Sequence, residues 1–252
     1  SPAVLARARA LSAGLCWAGT PLQAVLVDLD GTMVDTLGDF VVAIDLMLDD
    51  FSLPRVSRGF IERLIGKGGD HLTRAVLEEA VRLRDRQSGI GAGPARTHEA
   101  IAAMAPAALR SYRDHYHGVN GRHATVYPGV EQGLGRLHAR GLKLACVTNK
   151  PTALAEPLLR AKGLDGFFTG VFGGDRFERL KPDPMPFLRT CETLGSEPGR
   201  TLVIGDSSND AEAARAAGCP VVLVTYGYNH GKPVSAVDAD ACVDSIAELT
   251  AP

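Results

Sequence analysis

Six short runs rich in Val, Leu and Ile punctuate the chain: "AVLVDL" (24–29), "LKLACVT" (142–148), "GVFGG" (170–174), "TLVIGD" (201–206), "PVVLVT" (220–225) and "ACVD" (241–244). Most are apolar at consecutive positions rather than at alternate ones. Both faces of such strands must be covered, which is how a buried parallel sheet reads. Helical patterns separate them. Val130, Leu134 and Leu137 fall on one face, and the alanine-rich stretch Asp210 to Ala217 ends at Gly218, a residue suited to stopping a helix. Strand, helix, strand, repeated, predicts an α/β fold: a three-layer, Rossmann-like parallel sheet core. With 252 residues, 45% of them hydrophobic, the chain is long enough to fill such a core.

One interval breaks the rhythm. From 37 to 120 no convincing strand occurs, only helical patterns over Phe40 to Phe51, Arg58 to Ile65, His71 to Leu83 and His98 to Tyr116, with a glycine-rich break at "SGIGAGP". This reads as an inserted helical cap domain carried on two chain crossings, a geometry that suits a hinged lid. The core is then expected to comprise 24–36 and 121–252. The first 23 residues are expected to form a loosely ordered N-terminal extension, with a helical turn around Leu5 to Leu15, because Arg7 and Arg9 interrupt the only candidate signal-peptide core.

Charge and cysteines narrow the function classes. Twenty-seven Lys+Arg against 29 Asp+Glu gives a formal charge of -2, so nothing points to nucleic acid or to an anionic membrane as partner. No stretch approaches the ~18 apolar residues of a membrane span. Cys16, Cys146, Cys191, Cys219 and Cys242 are scattered without a C-x-x-C pair, as expected of small residues in a reducing cytoplasm. The sequence sets no oligomeric state.

In an open parallel sheet, ligands bind at the carboxyl ends of the strands. The first strand ends at Asp28 and Asp30. The second ends at Thr148-Asn149-Lys150, and "TLVIG" ends at Asp206, followed by "SSND" with Asp210. Between them "RLKPDPMPF" presents Lys181 ahead of a helix that Pro182 and Pro184 help to start. Four carboxylates on one rim repel one another and require a cation. All-oxygen donors with room for water and phosphate favour Mg²⁺. Lys181 adds a second positive charge and Thr148 a hydroxyl, which together suit a tetrahedral dianion.

"DLDGTMVDT", "VTNK", "KPDP" and "GDSSND", in that order from about residue 24 to 245, resemble the four motifs of the haloacid dehalogenase superfamily of phosphohydrolases. Within it, "IGKGGDHLTRAVLE", "VTNKPTALAEPLL", "GDSSNDAEAARAAGCP" and "TYGYNHG" are similar to the bacterial phosphoglycolate phosphatases. The resemblance implies a Mg²⁺-dependent hydrolase of a small phosphorylated metabolite, most simply 2-phosphoglycolate to glycolate and phosphate. Asp28 would be the nucleophile and form an aspartyl phosphate, while Asp30 would act as general acid and then base. Leu29 points into the core, so the two carboxylates project to one side. Gly31 permits the sharp exit of the chain, and the Thr32 side chain is expected to hold Asp30. Thr148 would bind a phosphoryl oxygen, with Asn149 beside it, and Lys181 would neutralise charge. Mg²⁺ would be held by Asp28, the main-chain oxygen of Asp30 and Asp206, with Asp210 in support. The Lys181–Pro182 bond is a candidate for the cis form, as in related phosphatases.

Substrate choice falls to the cap, where the turn Gly66 to Gly69 offers Lys67 as a cation for a substrate carboxylate; the helix N-terminus near Asp70 is the alternative. A sugar-phosphate phosphatase or phosphomutase on the same scaffold keeps both aspartates and stays open. A non-catalytic phosphoacceptor has no helical lid and no second aspartate two residues on. His115 and His117 flank Tyr116 with metal-like spacing but read as surface residues, since i and i+2 diverge on a helix. "TYGYNHG" reads equally as an ordinary loop closing the sheet and as a wall of the site.

Overall fold

The computed structural model describes residues 16, 17, 19–89 and 94–250. The helical turn expected around Leu5 to Leu15, and much of the glycine-rich break after Ser88, lie outside the described residues. At the end of the stretch read as a loose extension, β1 (Cys16–Trp17) pairs antiparallel with β2 (Thr20–Pro21).

Two compact units emerge. Of the described residues, those up to Asp35 and from Thr125 onward form one, and those within Thr36–Ala124 form the other. The first holds a six-stranded, wholly parallel sheet made of β3 (Ala24–Val27), β6 (Lys143–Val147), β7 (Gly170–Phe172), β8 (Thr201–Gly205), β9 (Val221–Val224) and β10 (Ala241–Val243). Its order is β10-β9-β8-β3-β6-β7. The first strand in sequence therefore lies inside the sheet, with β6 on one side and β8 on the other. This is the switch point of a doubly wound sheet, where a crevice opens at the carboxyl ends.

Consecutive apolar positions are explained by cover on both faces. Ala24, Leu26, Ala145, Val147, Val203, Val221 and Leu223 pack with Phe187, Cys191 and Leu194 of α7 (Met185–Leu194) and with the alanines of α8 (Ser208–Ala217). The alternate residues, Val25, Val27, Leu144, Cys146, Leu202, Ile204, Val222 and Val224, are equally buried. On the sheet's flanks α5 (Val130–Ala139) packs on β6, and α6 (Thr152–Ala161) packs on β7. A small ribbon, β4 (Val34–Asp35) antiparallel to β5 (Thr125–Val126), carries the chain out of this unit and back into it. The five cysteines are free thiols. Among the described residues, no helix is long and apolar enough to cross a membrane.

The second unit is helical: α1 (Leu37–Asp50), α2 (Arg58–Glu62), α3 (Gly69–Ser88) and α4 (Pro94–Val119). Tyr116 is fully buried, its ring centroid 5.0 Å from that of Phe40 and 5.6 Å from that of Tyr112. The junctions fall after Asp35 and before Thr125, whereas the sequence pattern set them after Thr36 and before residue 121. Asp39 explains the later return. This buried carboxylate in the first turn of α1 accepts N–H bonds from Gly121 at 2.6 Å and His123 at 2.7 Å, tying those residues to the helical unit. His115 lies at the surface, its Nε2 2.8 Å from Asp50 Oδ2 in an exposed pair.

Candidate active site

Asp28 follows β3 and donates its own N–H to Ile204 O at 2.9 Å, which anchors it to β8. The chain then turns sharply: Met33 and Val34 both donate N–H to Leu29 O, and Gly31 N–H bonds Val34 O. Gly31 has φ +85°, and a Cβ there would overlap Asp206 Oδ2, so two independent constraints require glycine. Leu29 is fully buried, while the Asp28 and Asp30 side chains keep partial exposure.

Lys181 is buried, its Nζ 2.9 Å from Asp28 Oδ1 and 2.7 Å from Asp210 Oδ1, and it donates to Val147 O at 3.0 Å. Burial pushes its ammonium toward deprotonation, but Asp210 and Asp28 together outweigh that and hold its pKa above the ordinary lysine value. Asn149 fixes the backbone: its Nδ2 donates to Lys181 O at 2.9 Å and its Oδ1 accepts from Lys181 N at 2.9 Å. The side-chain amide thus pairs with Lys181 as a neighbouring strand would. The Lys181–Pro182 peptide is cis.

Asp206, after β8, accepts Tyr228 N–H on Oδ2 at 2.5 Å and the Thr32 hydroxyl on Oδ1 at 3.4 Å. This corrects the sequence-based expectation for Thr32, which bonds Asp206 rather than Asp30. The tight turn directs the Thr32 hydroxyl across to the neighbouring strand end. Asp210, in the first turn of α8, accepts from the N–H groups of Asp206 and Ser207 and from the Ser207 hydroxyl, all on Oδ2. One of its oxygens shapes the Asp206 loop and the other holds Lys181.

Thr148 is buried, donates its N–H to Phe172 O at 3.0 Å and accepts Lys150 N–H on its hydroxyl at 3.2 Å, which leaves the hydroxyl hydrogen available to another acceptor. Lys150 received no role from the sequence. Its Nζ lies 3.1 Å from Asp30 Oδ1 and 3.4 Å from Oδ2, with the lysine side chain only 3% exposed. Its position two residues beyond Thr148 in "VTNK" was the available signal. Lys67 is an exposed residue of the helical unit, in the turn just before α3, whose N-cap Gly68 has φ +86°.

Carboxylate oxygens of Asp28, Asp206 and Asp210 lie within 4.8 Å of one another. Burial above all raises the Asp28 carboxyl to about 7, with Asp210 and Asp30 adding to the rise and Lys181 opposing it. Burial, then Asp210 and Asp28, raise Asp206 well above the usual carboxylate range. Lys181 shares its one positive charge between Asp28 and Asp210, so three carboxylates at close quarters face a single ammonium and remain, as hard oxygen donors, short of positive charge. That donor set fits Mg²⁺.

Residues 25–224 match the family described as haloacid dehalogenase-like hydrolase. The chain belongs to that family. Its relatives include the phosphoglycolate phosphatase of Thiobacillus denitrificans, 41% identical over 90% of this chain and 94% of the relative. The plasmid-encoded phosphoglycolate phosphatase of Cupriavidus necator is 42% identical over 92% of this chain and 93% of the relative. The crystal structure of a predicted phosphoglycolate phosphatase from Haemophilus somnus superposes with a TM-score of 0.79 at 33% identity, covering 90% of this chain and 96% of that one.

Proposed function

We propose that this hydrolase is a Mg²⁺-dependent phosphatase that cleaves 2-phosphoglycolate to glycolate and phosphate through an aspartyl-phosphate intermediate. The observation that carries the chemistry is the Lys181 ammonium shared between Asp28 and Asp210 at the switch point of the sheet. It orients Asp28 and supplies positive charge that offsets the negative charge of the phosphoryl oxygens as the carboxylate approaches. The substrate is carried by likeness to relatives named phosphoglycolate phosphatase.

In the first half-reaction an Asp28 carboxylate oxygen forms a bond to phosphorus in line with the departing alkoxide, whose oxygen takes the Asp30 proton as the ester bond breaks. In the second, Asp30 takes a proton from a water as that water's oxygen bonds to phosphorus, and the acyl phosphate bond breaks to return Asp28 and free phosphate. The Thr148 hydroxyl donates to a phosphoryl oxygen. Mg²⁺, held by the Asp28 and Asp206 side chains and the Asp30 main-chain oxygen with Asp210 in support, would supply neutralisation of the phosphoryl charge. Lys67 is assigned to the substrate carboxylate.

A hydrolysis screen over phosphorylated small acids, sugars and nucleotides with Mg²⁺ present tests this reading. Phosphoglycolate should give the highest kcat/KM, and activity should vanish after metal stripping in excess chelator. Undiminished hydrolysis in chelator, or a sugar phosphate turned over far better, would overturn the metal or the substrate assignment respectively.

A further inference from the structure

The "TYGYNHG" segment does more than close the sheet. Gly227 passes so close to the site that a Cβ there would overlap the Asp206 side chain and crowd Gly31 O. The next residue, Tyr228, donates its N–H to Asp206 Oδ2 at 2.5 Å. Its ring is buried, and its hydroxyl donates to Asp35 Oδ1. Asp35 belongs to β4, where it faces Thr125 of β5. A second tyrosine repeats the connection: Tyr226 donates its hydroxyl to Thr32 O at 2.8 Å, and its ring centroid lies 4.2 Å from that of Tyr127, just past β5. One residue, Tyr228, therefore joins a carboxylate of the acidic cluster to β4, while Tyr226 ties the same segment to the turn at Thr32 and lies against Tyr127 just beyond the ribbon.

From this geometry we infer that Tyr228 is a positioning residue for the metal. Its N–H aims the Asp206 carboxylate, and its hydroxyl bond to Asp35 fixes where that N–H stands. Affinity for Mg²⁺ then depends on the Tyr228–Asp35 bond, although neither phenol nor Asp35 touches the ion. Linkage is reciprocal, so bound Mg²⁺ must also steady the ribbon at 34–35 and 125–126. The inference rests on Asp206 being a metal ligand, as proposed above.

The test is calorimetric titration of the full chain with Mg²⁺, without substrate. Tyr228→Phe keeps the ring and removes the hydroxyl, and Asp35→Asn weakens the acceptor. Each should raise the Mg²⁺ dissociation constant about five- to tenfold, and the double variant should lose less than the two single losses combined, because both act on the Tyr228–Asp35 bond. A dissociation constant within about twofold of wild type in both, even with a lowered melting temperature, would make the tyrosine merely structural and overturn the inference. Hydrogen exchange on the unmodified protein gives a second reading that needs no variant. Mg²⁺ should slow exchange at Tyr228 and across β4 and β5; protection confined to residues 28–31 and 206–210 would also overturn it. If the unmodified protein binds no Mg²⁺, the metal assignment itself fails, an outcome distinct from normal binding that is indifferent to Tyr228.

Discussion

The Lys150 ammonium lies 3.1 Å from Asp30 Oδ1, an ion pair with both side chains largely shielded from water. At this depth the pair is screened far less than a surface one, and the ammonium fixes where the Asp30 carboxyl stands as it gives and then takes its proton. Lys150→Met should lower kcat at least about tenfold, equivalent to ~1.4 kcal/mol, with Lys150→Arg recovering part of the loss. Steady-state kinetics on phosphoglycolate checks this; wild-type kcat in Lys150→Met would show that Asp30 needs no such partner.

That pair also marks how far the sequence could be read. The six apolar runs became the six strands of one parallel sheet, and Asp28, Thr148 and Asp206 could be placed together because backbone topology alone brings strand ends to one rim, whereas Lys181, in the loop between β7 and α7, was placed there by its charge and its motif. Side-chain partnership was legible for Lys181 and Asp28 but not for the rest. Thr32 reaches Asp206 instead of Asp30, and Lys150 takes Asp30, because the tight turn at Gly31 and the rotamers beyond it decide those contacts. The return of the chain into the sheet unit was likewise hidden. Asp39 reads as an acidic residue favourable to a helix N-terminus, and its partners Gly121 and His123 lie more than eighty positions away.

Titration of the acidic cluster has a definite sign. Burial, chiefly, lifts Asp28 from 3.8 to about 7 and moves Asp206 the same way. Between those values the folded chain holds protons that the unfolded chain has released, so stability falls as pH rises through the window, by up to about 1.4 kcal/mol per pH unit for each proton. The metal-free protein should therefore melt lower at about pH 7.5 than at about pH 5.5, and Asp28→Asn should flatten the slope. Added Mg²⁺ should raise the melting temperature more at about pH 8 than at about pH 6, since it competes with those protons. Thermal unfolding in chelator and in Mg²⁺ measures both; a melting temperature that climbs with pH in chelator contradicts the assignment.

Lys67, if it reads the substrate carboxylate, should matter only to substrates that have one. Lys67→Ala is expected to cost about 1–3 kcal/mol in kcat/KM for phosphoglycolate, the scale of a charge-assisted hydrogen bond, and to leave a neutral phosphate ester of similar size nearly untouched. Equal losses on both would assign Lys67 to the shape of the helical unit instead.

Asn149 holds Lys181 by two backbone bonds of 2.9 Å each. Asn149→Ala removes both and leaves a largely buried N–H and C=O unsatisfied, so it should destabilise the fold by about 1–3 kcal/mol. The displaced ammonium should also cost kcat more than KM. Denaturant unfolding and kinetics on one preparation separate the two effects, and an unchanged kcat would show that Lys181 is aimed by other contacts.

Asp28 is expected to carry the phosphoryl group between the two half-reactions. Rapid quenching of the enzyme during turnover of phosphate-labelled phosphoglycolate, followed by peptide mapping, reads it directly. The label is expected on the peptide containing Asp28, released by hydroxylamine as an acyl phosphate should be, and absent from Asp28→Asn, which should also lack turnover. Label retained by Asp28→Asn, or mapped to another residue while glycolate accumulates, would contradict it.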